Sequence, residues 1–412
     1  MRRAENPIGG TTVGPRFIAT YTLAQIGAFI GFVPLLSVLL PMKASVVAPL
    51  SASLLLGQVA IAGSIAAAIS HLMVGICSDL TRTPLGRRRP WILGGAAATS
   101  LSYLGIYFAD TPAELMLAII GFQIAFNMMF APLVAIFADS VPDRRKGLVS
   151  AFVGLAHPAA NLFAALVIAM LLTSTAWRYL AIGMAGLVLV VPFAAWSYRE
   201  PPAAPRLTVD FWGTLDAFRD RDFLIAFCSR LLVQTAIAMN ALYLLFYLQQ
   251  DTDAARALPG MRAEAVLGLL MIVATVAALA SGFITGVWSD RIGRRKVFVT
   301  AGGLAIAIGA AIFALAPDWP GPLVGQVIFG AGLGVFSTAD TALIAQVLPA
   351  RSRIGRDLGL MNIAVTLPQV LAPLGGIVLL TALGLSLTTV FGMASVLALS
   401  GAVLIRWVTR NL

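Results

Sequence analysis

The sequence predicts an all-α membrane protein whose twelve transmembrane helices form two pseudo-symmetric six-helix bundles. Three observations carry this. Hydrophobic residues make up 59% of the 412-residue chain and charged residues 11%, with a mean hydropathy of +0.92; soluble domains stand near half apolar and about a quarter charged. Twelve apolar runs are each long enough to cross a hydrocarbon core of ~30 Å as a helix of ~20 residues. One loop motif also occurs twice, as GICSDLTRTPLGRRRPWILGG from Gly75 to Gly95 and as GVWSDRIGRRKVFVTAGG from Gly286 to Gly303. Asp79 and Asp290, which head the copies, lie 211 positions apart, as two similar halves require.

In the first half the runs cover 17–40, 52–77, 91–109, 115–138, 148–172 and 178–197. The first is long enough to span and lacks a small-residue cleavage site after it, so it reads as a retained helix rather than a signal peptide. The fourth closes PLVAIFADSVPDRRKG, Pro132 to Gly147. Pro142 has no amide donor and disfavours helix at the residue before it, so the helix stops at the membrane surface. The stretch from Ser197 to Asp222 holds Pro201, Pro202, Pro205 and scattered charges, which predicts an exposed loop with a short surface helix around Phe211–Phe218. The second-half runs cover 223–249, 264–288, 297–316, 322–347, 357–381 and 386–407. The tenth closes DTALIAQVLPARSRIG, Asp340 to Gly355, with the same proline-then-arginine ending. The expected organisation is a bundle over 1–197, a linker over 198–222 and a second bundle over 223–412.

The formal net charge is +10, but the basic residues stand in short clusters between apolar runs. That pattern is an orientation signal rather than a phosphate-binding face. With the N-terminus in the cytoplasm, 23 Lys and Arg fall on the inside and four outside (Lys43, Arg178, Arg256 and Arg262), while Arg230 lies within a span. The positive-inside rule therefore puts both termini in the cytoplasm. Cys77 and Cys228 both fall in spans, so neither a disulfide framework nor a metal site is implied.

The paired G-x-x-x-D-x-x-G-R-R motif, on a six-plus-six layout, resembles the major facilitator superfamily. The first copy carries a four-residue insertion and ends GRRRPW, Gly86 to Trp91, which is similar to the sucrose-type proton symporters and glycoside–cation symporters. GRDLGLMNIAVTLPQVLAP, Gly355 to Pro373, is similar to the segment opening helix 11 of that group. The resemblance also extends to Asn127, Pro132 and Ala138-Asp139 at the end of helix 4. It implies a proton-coupling role for Asp139; Gly147 stands where that branch carries an Arg, a departure that weighs against sucrose itself as cargo. Asp340 has no counterpart in the plant sucrose carriers.

In such a family the duplicated loops are latches, so Asp79, Gly86, Arg87 and Arg88 in the first copy are expected to contact helix ends across the seam between halves. Asp290, Arg291, Gly293, Arg294 and Arg295 would do the same in the second; the plainer reading is that these charges only set orientation. Asp340 lies about seven residues inside the end of helix 10, roughly 10 Å deep at 1.5 Å per residue, and Arg230 lies at matching depth in helix 7. A lone charge at mid-membrane costs at least ~2.5–3.5 kcal/mol, so the two are expected to pair, with Asp340 taking up a proton when separated. A purely structural pair, or an Arg230 that snorkels outward, is the alternative. Asp139 has two readings as well, partner of the first loop's arginines or coupling residue.

Polar side chains on the apolar helices form a candidate substrate set: Tyr21, Gln25, Gln123, Asn127, His157 and Asn161 in the first half, and Gln234, Asn240, Tyr243, Tyr247, Asn362 and Gln369 in the second. Four of these pairs are spaced i, i+4 and so share a helix face. Amides and phenols offer both donors and acceptors to a neutral polyhydroxylated ligand, although each could equally bond a neighbouring helix. His71 reads as structural. Gly-rich runs such as Gly330–Gly334 lie inside spans, where small residues let helices approach closely.

No nucleotide-binding, zinc-hydrolase or serine-hydrolase motif is present, so the expectation is a transporter rather than an enzyme, with no cofactor and no metal. The expected setting is a bacterial-type inner membrane. The expected partners are a small solute such as a sugar or glycoside, protons and the lipid bilayer, with no nucleic acid and a monomer as the working unit. An exporter of drugs or apolar compounds, and a non-transporting sensor on the same fold, are the alternatives.

Overall fold

The computed structural model describes residues 14–198, 218–253, 257–292, 295–347, 360–361 and 363–409. Twelve helices there are long and apolar enough to cross a membrane, and the described residues contain no strand. They are α1 Pro15–Val47, α2 Ala52–Leu80, α3 Arg89–Phe108, α4 Pro112–Ser140, α5 Arg145–Leu171 and α6 Thr175–Ser197. The second set is α7 Arg221–Gln250, α8 Ala263–Ile292, α9 Arg295–Leu315, α10 Gly321–Val347, α11 Ile363–Ala382 and α12 Leu387–Trp407. The expected linker helix, most of Phe211–Phe218, lies outside the described residues, as do Gly293, Arg294 and Asn362.

Helix ends follow local chemistry. Thr111 and Glu114 form a capping box at the start of α4, the Thr hydroxyl accepting from the Glu114 amide and the carboxylate accepting from the Thr111 amide at 3.2 Å. Asp220 caps α7 by accepting from the Phe223 amide at 3.0 Å. α1 outruns its predicted end at residue 40 and continues to Val47. A π-helical turn over Leu35–Leu39 interrupts it, and Pro41 then falls in the first turn of the following segment, where a missing amide costs nothing.

Each set of six helices packs mainly on itself, with α3 against α4 and α2 against α4 in the first bundle, and α9 against α10 and α7 against α12 in the second. Glycine permits the tightest of these approaches: a Cβ at Gly95 of α3 would collide with the Met129 amide nitrogen of α4. The bundles also share a capping device at the ends that carry the basic loops. Arg89, opening α3, donates from Nε to the Ala194 carbonyl at the end of α6 at 2.7 Å. Lys296, near the start of α9, donates to the Val408 carbonyl beyond α12 at 2.9 Å. Both cations sit on helix C-termini, where the dipole favours positive charge.

Contacts between the bundles concentrate away from the basic loops. α2 meets α11 at Gly57, where an added Cβ would lie 2.6 Å from Ile377 Cγ1, and at Ser64, whose hydroxyl donates to the Gln369 carbonyl at 3.0 Å. α8 meets α5 at Gly268, which faces Ala165, Ala169 and Met170. The same face of α2, followed by helical periodicity toward the basic end, reaches Ala68, His71 and Gly75. Ala68 and His71 are exposed, and a Cβ on Gly75 would meet nothing within 4 Å. Among the described residues the seam is therefore shut at the face opposite the basic loops and open at the basic face.

Candidate functional site

α7 and α10 bring Arg230 and Asp340 together, with Nε and Oδ2 3.4 Å apart. Asp340 is nearly sealed, its side chain 7% exposed, and Arg230 is 18% exposed. The Arg230 Nε makes no hydrogen bond of good geometry, so the contact is Coulombic, between two charges held apart from bulk water. Such a pair is weakly stabilising as a whole but costly to break from one side.

At the basic end of the first bundle a second electrostatic centre forms. Thr83 and Gly86 close a turn, the Gly86 amide donating to the Thr83 carbonyl at 2.9 Å and the Thr83 hydroxyl donating to the Gly86 carbonyl at 2.6 Å. Gly86 has φ +99°, a conformation that disfavours any side chain. The turn sends Arg87 and Arg88 back over α4, where Asp139 Oδ2 accepts both guanidinium groups, at 2.9 Å and 2.6 Å. Asp79 Oδ1 completes the cluster at 3.7 Å and 3.4 Å.

Bridges across the seam were expected of the latch loops. Among the described residues the carboxylates that pair with Arg87 and Arg88 lie within the first bundle. In the second copy Arg291 is exposed and Arg295 opens α9 half-buried, while the Asp290 side chain lies outside the described residues.

The polar set divides. Tyr21 and Gln25 line a cleft of about 350 Å³ between α1, α4 and α5, together with Phe29, Phe130, Val134, Phe137, Ser150, Val153 and Gly154. The Tyr21 hydroxyl donates to the Leu133 carbonyl at 3.0 Å and accepts from Gln25 Nε2 at 2.9 Å. Gln123 and Asn127 are buried, Asn127 Nδ2 donating to the Gln123 carbonyl at 2.9 Å. His157 is exposed and meets Asn161 at 3.4 Å.

The second-half members mostly serve packing, which corrects the expectation of a cavity face there. Asn240 is buried and donates to Gln326 Oε1 at 3.3 Å. Tyr243 donates to the Pro373 carbonyl at 3.3 Å and presses on Gly376. Tyr247 donates to the Phe313 carbonyl at 2.8 Å and stacks edgewise on Phe313 and Phe391, wholly inside the bundle. The i, i+4 spacing correctly put Tyr243 and Tyr247 on one face, but that face looks into α9, α11 and α12. Gln234 is half-buried, and Gln369 is exposed beside the Ser64 contact. Sequence reasoning missed Gln326, whose isolated amide in an apolar run gave no pairing signal, and the aromatic lining of the cleft, indistinguishable there from core.

Two bundles of six membrane helices with charges buried between apolar faces define a polytopic transporter. The family model described as MFS/sugar transport protein matches residues 24–386, and the chain belongs to that family. Over 88 residues it is 35% identical to the arabinose-proton symporter of Bacillus subtilis (strain 168), covering 21% of this chain and 18% of that protein. Over 98 residues it is 29% identical to myo-inositol transporter 3C of Cryptococcus neoformans var. grubii, covering 24% and 16%. The match thus spans less than a fifth of either relative's length. Among solved structures, the fold is shared with the nucleoside transporter NupG (TM-score 0.73, 12% identity, 96% of this chain and 100% of that one). It is shared also with a bacterial homolog of the human lysosomal transporter Spinster in an inward-facing and occupied conformation (TM-score 0.69, 16% identity, 96% of each chain).

Proposed function

We propose that the chain is a proton-coupled symporter of a sugar or glycoside, working by alternating access as a monomer in a cytoplasmic membrane. The observation that carries the reading is the sealed Arg230–Asp340 pair inside a fold of the sugar-transport family. An acid enclosed with a base at mid-membrane depth can exchange its countercharge for a proton when the helices shift, which is what coupling needs. The positive-inside rule places the basic face, and with it the open end of the crevice, in the cytoplasm. In this reading α1, α4 and α5 supply the solute site, and the Asp79–Arg87–Arg88–Asp139 cluster is one half of a latch.

The two named relatives make arabinose and myo-inositol the first probes. Purified protein in liposomes, given an acid exterior, should accumulate at least one member of a panel of radiolabelled pentoses, hexoses, inositol and aryl glycosides, and a protonophore should abolish the accumulation. The aromatic lining of the cleft favours a second reading, export of an apolar compound. Accumulation of no sugar, together with proton-driven efflux of lipophilic dyes, would replace the first reading with the second.

A further inference from the structure

We propose that His71, with Phe29 and Phe130, forms a ring-binding subsite of the first bundle that stacks a cyclic polyol on an aromatic floor and accepts a hydrogen bond from a ring hydroxyl at His71 Nε2. The proposal rests on the sugar-transport reading above and narrows it to one subsite.

The chain has two histidines, and they flank one aromatic pair. Phe29 and Phe130 meet edge to face, centroids 5.8 Å apart at 84°. His157 packs on Phe29 at 5.7 Å, and His71 lies 6.4 Å from Phe130. Each imidazole is held by an asparagine, His71 by Asn127 at 2.9 Å and His157 by Asn161 at 3.4 Å. Both phenyl rings line the cleft, and both histidines are exposed. Behind Phe130 the floor is braced by Phe126 and Phe122, stacked at 5.1 Å and 5.9 Å along α4.

The tautomer of His71 follows from its neighbours. Asn127 Nδ2 is committed to the Gln123 carbonyl at 2.9 Å, so its Oδ1 faces His71 Nδ1. A carbonyl oxygen only accepts, and Nδ1 must therefore carry the proton. In neutral imidazole that leaves Nε2 as a lone-pair acceptor, and no hydrogen-bond partner for it is found among the described residues. On an exposed side chain that acceptor is ordinarily satisfied by water, which a ligand hydroxyl can replace. His71 keeps it on a helix face that, nearer the opposite end, is the bundle seam.

That placement also says when the ligand is enclosed. Gly57 and Ser64 on this face touch α11, and His71 is the next helical repeat toward the basic end. Closing the seam there would bring α11 over His71. A sugar ring suits the site because its C–H face is complementary to the negative face of an aromatic ring, while its rim carries hydroxyl donors.

Binding of L-arabinose, myo-inositol and p-nitrophenyl-β-glucoside to the purified full chain, by isothermal calorimetry, tests this in the wild type, His71→Leu, His71→Gln and Phe130→Leu, with thermal unfolding as the check on folding. The expected result is that a probe binding the wild type binds His71→Leu and Phe130→Leu about tenfold more weakly, while His71→Gln, which keeps an acceptor, stays within about threefold. Imidazole ¹⁵N spectra of the ligand-free protein, with two histidine spin systems to assign, should show His71 protonated at Nδ1. Unaltered affinity in His71→Leu and Phe130→Leu overturns the subsite and leaves sugar transport standing, as does an Nε2-protonated His71. Failure of all three probes to bind the wild type overturns the transport reading and the subsite with it.

Discussion

Arg230 and Asp340, 110 positions apart in sequence, stand 3.4 Å apart in the second bundle. With Asp340 sealed, neither charge can be neutralised by solvent alone, and removing one partner strands the other. Breaking a buried pair from one side typically costs ~3–5 kcal/mol. Asp340→Asn should therefore lower the unfolding temperature and abolish proton-driven uptake, while exchange of solute across equilibrated liposomes survives. Pairing it with Arg230→Leu should restore stability without restoring uptake. Undiminished proton-driven uptake by Asp340→Asn would remove this pair from the coupling mechanism.

Asp139 binds the two arginines that also pair with Asp79, so its replacement affects the whole cluster. Asp79 is largely exposed, and exposed pairs contribute ~0–1 kcal/mol. Asp139→Asn should accordingly destabilise more than Asp79→Asn, and the double variant should exceed the sum, because either carboxylate alone still neutralises part of the charge on the shared guanidinium groups. If the cluster is a latch, Asp139→Asn slows both net uptake and solute exchange. Loss of uptake with exchange intact would instead assign Asp139 to proton coupling.

The fold was legible because membrane helices answer to length and apolarity, two properties a sequence states openly. The ends were less so. The first apolar run ends at residue 40, yet the helix passes through a π-turn over Leu35–Leu39 and continues to Val47. Charged site residues were legible for a related reason: Arg230 and Asp340 are so costly alone in lipid that each implied a partner. Uncharged residues carry no such constraint. Tyr247 and Tyr21 have the same side chain in similar apolar runs, and only the neighbouring helices, invisible in the sequence, put one in a closed core and the other on a cleft.

Tyr247 yields a prediction that separates packing from binding. Its hydroxyl satisfies the Phe313 carbonyl at 2.8 Å, and its ring wedges between Phe313 and Phe391. Tyr247→Phe keeps the wedge and loses one hydrogen bond, worth about 1 kcal/mol. The variant should unfold at a slightly lower temperature with the transport KM unchanged. A KM raised several-fold at unaltered stability would return Tyr247 to the solute site.

Gly57 and Gly75 report the two ends of one seam, and together they test both the conformation and the orientation. At Gly57 a side chain would collide with Ile377, whereas at Gly75 it would meet open space. In a background with Cys77 and Cys228 replaced by alanine, Gly75→Cys should react with a membrane-impermeant maleimide in inside-out vesicles and resist it in intact cells. Adding Gly57→Val forces α2 and α11 apart at the closed face and disfavours the state whose basic face is open. Reaction at residue 75 should then slow by several-fold, because the compensating closure buries it. Labelling from the cell exterior would invert the assigned topology. A rate indifferent to Gly57→Val would mean that the two ends of the seam do not move as one.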